Sequence, residues 1–575
     1  MQLKKLFWND GGVNNVKNKF VDYLNTLHNY YGQNSNVFGE SNINNDFYKE
    51  IMVDIPICNF ISKELKNESP HIIILTGHAG DGKTSLMYQV LKSLGCEFDV
   101  NKKSFSVELE NGKKCLCIKD FSEFSDQQKR KLMEEVVTAQ KNGKYVFMVA
   151  NTGPLIKNFP YAFPDELYED VQTRLIELLD NNTGKIQNIF DVKISIINIV
   201  AVDNTFFAKK FIDNVIEEKL WENCLRCDKR EYCPIIKNIG LIKQNEEKVT
   251  DFITKHYRWL LEYGERFTIR SMTQQLSYMI TGGIECDDVI EEPSYIYLCS
   301  NLFFGYLGTR IDDRALSINA IKASLKCNYD KKRLRRDEDI FIDKSWKSLF
   351  SKEIVKIITD SEINAGRTDG WQEMIKRMYL FFNIQTDSET IKCDLEDVFS
   401  IQFNRYLELK YLNHCPTLSD HLLVRNALFM LNLGTIKYNS KEIPITLSRE
   451  SGYVQNVQYV VGTIKTSKIK LIAQPSKHSA YLGDEQYKDL FIQIDGKILH
   501  SNIDLPLLDY FEDLKNGIID TNIDAQLSKG IESIKSEILP IAKDEEEDML
   551  TLIVDTNEGY DEISFNISEG IFKLE

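Results

Sequence analysis

Apolar residues change their spacing along this chain, and the spacing sorts it into helices and strands. Phe20, Val21, Leu24 and Leu27 recur at helical intervals, as do Ile57, Phe60 and Ile61, so the Asn-rich, aromatic residues 1–69 read as a helical lead-in. Ile72–Leu75 is a short β-branched run leading into glycine, as in a central strand covered on both faces. Lys83–Leu94 returns to the helical period and halts at Gly95. Phe105–Leu109 and Cys115–Lys119 flank Asn111-Gly112, a pair that favours the positive φ of a tight hairpin turn. Ser125 to Gln128 has capping-box spacing and opens a helix to Asn142-Gly143; Tyr145–Ala150 and Ile194–Val202 then read as buried strands. Strands alternating with helices predict an α/β fold with a parallel sheet core over residues 70–205.

Beyond Phe206 helical patterns dominate as far as Tyr438, predicting a helical lid with a cysteine cluster over 206–300 and a helical domain over 301–440. Tyr453–Ala473, a hairpin pattern around Asp495-Gly496 within Leu490–His500, and alternation at Ile563–Ile567 predict a C-terminal α+β module over 441–575. A chain of 575 residues fits several domains, because single cores stop growing near ~250–300 residues. No internal repeat is apparent. The formal net charge of −16 argues against a surface basic all over, so nucleic acid, if bound, must meet a local patch. Met1–Asp10 reaches Asn9 and Asp10 before any apolar stretch, and no window approaches ~18 apolar residues, so neither a signal peptide nor a membrane span is expected. Twelve cysteines without a short, disulfide-dense layout fit reduced thiols and a cytoplasmic setting.

Chemistry enters at Gly77-His78-Ala79-Gly80-Asp81-Gly82-Lys83-Thr84, which fits G-x-x-x-x-G-K-[ST] between an expected strand and an expected helix. The three glycines let backbone N–H groups wrap a triphosphate; Lys83 is expected on the β- and γ-phosphates, Thr84 on Mg²⁺, and Ser85 beside them. This predicts a P-loop NTPase that hydrolyses ATP. Hydrolysis also needs a carboxylate for the metal shell and a group to orient water. Asp120, after the apolar run Cys115–Ile118, is the expected metal acid; Glu123 is the candidate base, and Asp203 competes with Asp120 unless it only caps its strand.

Cys224-Leu225-Arg226-Cys227 and Cys233 make C-x2-C-x5-C among charged residues, a pattern expected to hold Zn²⁺ or, less readily, an iron–sulfur cluster. Cys286 is the expected fourth ligand, with His256 the alternative. Lys326, Lys331, Lys332, Arg333, Arg335 and Arg336 form a dense basic stretch that either meets DNA phosphates or a neighbouring subunit's nucleotide, or is compensated by Asp337-Glu338-Asp339. Lys543–Asp548 reads as exposed, and no nuclease constellation of paired carboxylates followed by Glu-x-Lys is found.

The order of phosphate loop, acidic residue, helix and a strand tipped by Asn151 resembles AAA+ ATPases over about residues 70–205. The resemblance implies that Asn151 touches the γ-phosphate and the attacking water, although Asn151 also suits the turn Asn151-Thr152-Gly153-Pro154. It further implies a lid arginine over the nucleotide, for which Arg270 is the candidate against the commoner reading of a surface arginine. With its Gly-Asp-Gly-Lys loop, Asn151–Leu155 and the cysteine-proline cluster, the chain resembles P-loop ATPases of bacterial defence loci, loosely the DptF family of DNA phosphorothioation-dependent restriction. That resemblance implies an ATPase subunit working with partner proteins on foreign double-stranded DNA, itself able to form a homo-oligomer. A nucleotide-controlled signalling switch whose C-terminal module recruits a partner is the competing expectation.

Overall fold

The computed structural model describes residues 17–28, 45–291, 295–334, 337, 347, 350–359, 370–383, 395–436, 440–447, 457–483, 485–520, 522–544, 549–556, 559–568 and 571–574. The chain divides into two compact units, Met1–Leu261 with Glu265–Ile391, and Glu262–Gly264 with Lys392–Glu575. The break after residue 391 falls inside the segment expected as one helical domain over 301–440.

The first unit is built on a mixed six-stranded sheet of β1 (Ile72–Gly77), β2 (Ser104–Glu108), β3 (Lys114–Ile118), β4 (Tyr145–Asn151), β5 (Gln187–Ile189) and β6 (Val192–Asn198), ordered β2-β3-β4-β1-β6-β5. Strands β3, β4, β1 and β6 run parallel, while β2 and β5 pair antiparallel at the two edges. Every residue of β1 is buried, as an apolar run without alternation requires. Neighbours lie on both sides of β1, and the chain visits the β3 side before returning to the β6 side. The mouth at the carboxyl end of β1 is therefore the switch point where open α/β sheets leave a crevice. The last strand is shorter at its end than the run Ile194–Val202 suggests. The Asn198 side-chain oxygen accepts the Val200 amide at 3.2 Å and turns the chain into a 3₁₀ segment.

Helices α1 (Lys19–His28), α2 (Asp46–Ile51) and α3 (Pro56–Lys66) precede and accompany this sheet, and α4 (Lys83–Ser93), α5 (Asp126–Lys141), α6 (Thr152–Asn158) and α7 (Tyr168–Asn181) pack on its strands. Met133 and Val136 of α5, Leu155 of α6 and Val171 and Leu175 of α7 join Ile74, Val146 and Ile194 in one core. Each such side chain contributes about 1.5–3 kcal/mol on full burial, enough to fix which face each helix turns inward. The expected capping box opens α5: Ser125 Oγ accepts the Gln128 amide, and Gln128 Oε1 accepts the Ser125 amide at 3.0 Å.

Four more helices follow, α8 (Phe206–Val215), α9 (Pro234–Gln244), α10 (Glu246–Glu262) and α11 (Ile269–Thr281). Within the first unit the lead-in is built into the structure, since α1 packs along α11, α2 against α8 and α3 against α4. The second unit combines helices such as Leu418–Leu433 and Leu505–Lys515 with two sheets. One is the antiparallel set Ile469–Pro475, Lys488–Ile494 and Lys497–Asn502, its hairpin turning through Asp495 and Gly496 at φ 48° and 84° as Asp-Gly predicts. The other includes Val457–Lys465, Met549–Thr556, Gly559–Ser568 and Ile571–Leu574. Residues 453–456 of the expected β-rich stretch, and 545–548 of the acidic run, lie outside the described residues. Among the described residues no helix is long and apolar enough to cross a membrane.

Candidate functional site

The glycine-rich segment leaves β1 at Gly77 and enters α4 at Lys83, so the amides of the loop and of the first helical turn gather at the sheet's mouth. Gly77 and Gly80 show why side chains are excluded. A Cβ on Gly77 would lie 2.7 Å from Asp81 Oδ2, and Gly80 has φ 91° with the Thr268 hydroxyl 3.3 Å from its would-be Cβ. The loop is pinned from within, because buried Asp81 accepts the His78 amide at 2.7 Å. Lys83 Nζ donates to the His78 carbonyl. Burial lowers the Lys83 pKa to about 8, against the opposing pull of Asp81 and Asp120. A partly desolvated ammonium held at the head of a helix is poised to take an anion.

Asp120 stands just beyond β3 and accepts the Thr84 hydroxyl at 3.1 Å. A hydroxyl and a carboxylate at that spacing form a hard-oxygen pair suited to Mg²⁺ with its waters. Asp203 does not compete: it is buried, caps the Thr205 amide at 2.8 Å and pairs with Arg258 at 3.7 Å. Glu123 lies in a 3₁₀ turn at the cavity, but its carboxylate is 2.7 Å from Lys103 Nζ. Asn151 is the last residue of β4, paired in register with Gly77, and its amide donates to Ser122 Oγ at 3.4 Å. Instead of forming a free turn, the chain from Thr152 continues directly into α6.

These groups share one cavity of about 350 Å³. Ala79, Gly80, Gly82, Lys83, Thr84, Ser85, Asp120, Glu123, Asn151 and Arg270 all line it, whereas Gly77, His78 and Asp81 shape the loop from behind. Arg270 sits in the first turn of α11, whose N-cap Thr268 accepts the Ser271 amide at 3.1 Å. Its backbone amide reaches the Gly80 carbonyl at 3.4 Å, so α11 rests on the loop.

Sequence reasoning missed three contributors. Arg266 donates to Asp81 Oδ2 at 2.8 Å and locks α11 to the loop; its nearness to the Thr268 cap was the available signal. Ser122 carries no sequence signal. The far wall is apolar and aromatic, with Tyr23 and Leu27 of α1, Tyr48 of α2, and Phe207 and Phe211 of α8. Tyr48 shares a hydrogen bond with the Ser85 hydroxyl, joining that wall to α4. Such a cavity offers a charged end for phosphates and a flat apolar end for a ring.

No family model, curated protein or solved structure matches this chain.

The cysteines form a second cluster in the first unit. Cys224, Cys227, Cys233 and Cys286 all line one cavity of about 20 Å³. All four are free thiols, and burial pushes Cys224 up to about 11. Among the described residues no group of three or more His, Cys, Asp or Glu side chains stands in a geometry that could hold a metal ion. His256 is excluded as the fourth partner. It is fully buried in α10, with its ring nitrogens 3.0 Å from Tyr329 Oη and 2.8 Å from Ser324 Oγ, and burial lowers its pKa to about 3.

The basic stretch is partly compensated from elsewhere in the first unit, and Glu338 and Asp339 lie outside the described residues. Lys326 pairs with Glu265 at 2.6 Å, and Lys332 lies over the rings of Trp259 and Tyr329. Asp337 pairs with Lys376 at 3.0 Å. Arg335 and Arg336 lie outside the described residues.

Proposed function

We propose that this chain is a P-loop NTPase of AAA+-like build that binds and hydrolyses ATP. The observation that carries the reading is the Thr84–Asp120 pair set beside the Lys83 ammonium, at the carboxyl end of a parallel strand. Loop amides and Lys83 bind the β- and γ-phosphates; the aromatic wall takes the base. Thr84 and Asp120 hold Mg²⁺, which neutralises charge on the phosphate oxygens when bound. Asn151 orients a water whose oxygen attacks the γ-phosphorus as the bond to the β–γ bridging oxygen breaks. Glu123, freed from Lys103, accepts the water's proton. Arg270 contributes its fixed charge from the lid.

The resemblance to defence-locus ATPases supports placing this activity in a cytoplasmic assembly directed at foreign double-stranded DNA, with the nuclease or helicase in a partner chain. A second reading, a nucleotide-controlled switch, is favoured by one contact that holds the candidate base in check, Lys103 on Glu123. Steady-state ATP turnover with and without duplex DNA separates the two. DNA-stimulated turnover supports the assembly subunit; tight binding with no turnover under either condition supports the switch.

A further inference from the structure

The cysteine cluster is outside the nucleotide cavity, and the proposed ATPase makes no use of it. Its four sulfurs come from separate parts of the first unit. Cys224 and Cys227 bracket the end of the 3₁₀ stretch Glu218–Arg226, Cys233 is the N-cap of α9, and Cys286 lies in the loop after α11. Charged residues hold these segments together: Lys229 Nζ donates to the carbonyls of Cys286 and Asp287 at 3.2 and 2.9 Å, and Lys17 pairs with Asp287.

Several N–H groups are directed at the sulfurs. Asn18 Nδ2 donates to Cys224 Sγ at 3.3 Å, the Asn18 amide hydrogen-bonds Cys286, and the amides of Ile235 and Ile236, in the first turn of α9, hydrogen-bond Cys233. Burial pushes Cys224, Cys233 and Cys286 up and the amide donors act against it, while four thiols around one small cavity match the number and type of ligands that a tetrahedral zinc ion takes. Val21, Ile235, Ile236 and Val289 line the same cavity together with Lys229 and Arg230.

We propose that Cys224, Cys227, Cys233 and Cys286 form a tetrathiolate zinc site, with Asn18 as its supporting hydrogen-bond donor. The side chains turn inward as the ion enters, each thiol releasing its proton to solvent while its sulfur bonds the metal. The site ties the start of α1 and the N-terminus of α9 to the loop that ends α11. Because α1 also packs along α11, the ion fixes the helix that carries Tyr23 and Leu27.

The full chain, purified under reducing conditions and stripped of metal by chelation, is titrated with Co²⁺ and then Zn²⁺. The expected result is about one ion bound per chain, with an intense thiolate-to-cobalt absorption band that zinc abolishes. Zinc also protects the four thiols from alkylation and raises hydrogen-exchange protection across residues 19–28. The variants Cys227→Ser and Cys233→Ser lose the cobalt band; should either fail to fold, the wild-type titration and alkylation pattern decide alone. Equal alkylation of the four thiols with and without zinc, or isolation of the protein with iron and acid-labile sulfide in place of zinc, overturns the proposal.

Discussion

The two ends of α11 face two motif-bearing loops in different states of readiness. At its N-terminus the glycine-rich loop already has the shape expected for use: Asp81 holds the His78 amide, Thr84 reaches Asp120, and Arg266 closes onto Asp81. Beyond its C-terminus four thiols share a cavity wall, but no set of them is yet arranged as a ligand set. The difference lies in what each site is made of. A phosphate cradle consists of backbone amides whose positions follow from φ, ψ and the strand and helix on either side, so the fold builds it without its ligand. A thiolate site consists of like charges that repel until a cation joins them, so geometry and metal arrive together.

Removing Lys83 tests the finished end most severely. Lys83→Ala is expected to weaken ATP binding by at least about 100-fold in equilibrium dialysis, because it removes the ammonium at the head of α4. Near-wild-type affinity would show that the loop amides do not contact phosphate. Asp120→Asn is expected to lower turnover by about 100-fold while ATP affinity changes by less than about 10-fold, since it acts on the metal shell in the transition state. Equal losses in both would place Asp120 in uniform ground-state binding instead.

Arg266→Ala leaves the buried Asp81 carboxylate, 1% exposed, without its cation and should cost the first unit about 2–4 kcal/mol in denaturant unfolding. Pairing it with Asp81→Asn should recover part of that loss; strictly additive losses would mean the two side chains act separately.

The smallest effect concerns pH. Burial lowers His28 to about 4 and His256 to about 3, from an ordinary 6.5. Between those values the unfolded chain binds more protons than the folded one, so stability is complete above about pH 6.5 and declines as pH falls toward 4. Thermal unfolding should shift down by several degrees over that range, and His28→Gln should flatten the slope. His256 lies in the packed core of α10 and His28 touches Thr281 at the end of α11, so an unaltered slope would mean that His28 is not held neutral there.

Much of the first unit was legible because its signals are local. Ile72–Leu75, the Asn111-Gly112 turn, the Ser125 cap and the Gly95 stop each specify structure within a few residues. The placement of the glycine-rich loop between strand and helix was legible for the same reason. Asp203 was the harder case, since an acid after an apolar strand looks alike whether it faces a cavity or caps a turn; only the fold shows it bonded to Thr205. The aromatic wall and the Arg266 lock were not legible. They depend on α1, α2 and α8 converging from distant sequence, and no spacing rule carries that information. In the cysteine cluster the pattern picked out sulfurs that the fold brings to one cavity, while separating Cys286 from His256 needed the three-dimensional burial of the imidazole.

Calorimetric titration of the full chain with ATP and Mg²⁺, run below and above about pH 8, tests the central claim most directly. The account predicts a single site whose affinity falls as pH rises through about 8, with proton uptake on binding above it, because phosphate holds Lys83 charged. Absence of binding heat at any pH, or an affinity that is unchanged across this range and in Lys83→Ala, contradicts it.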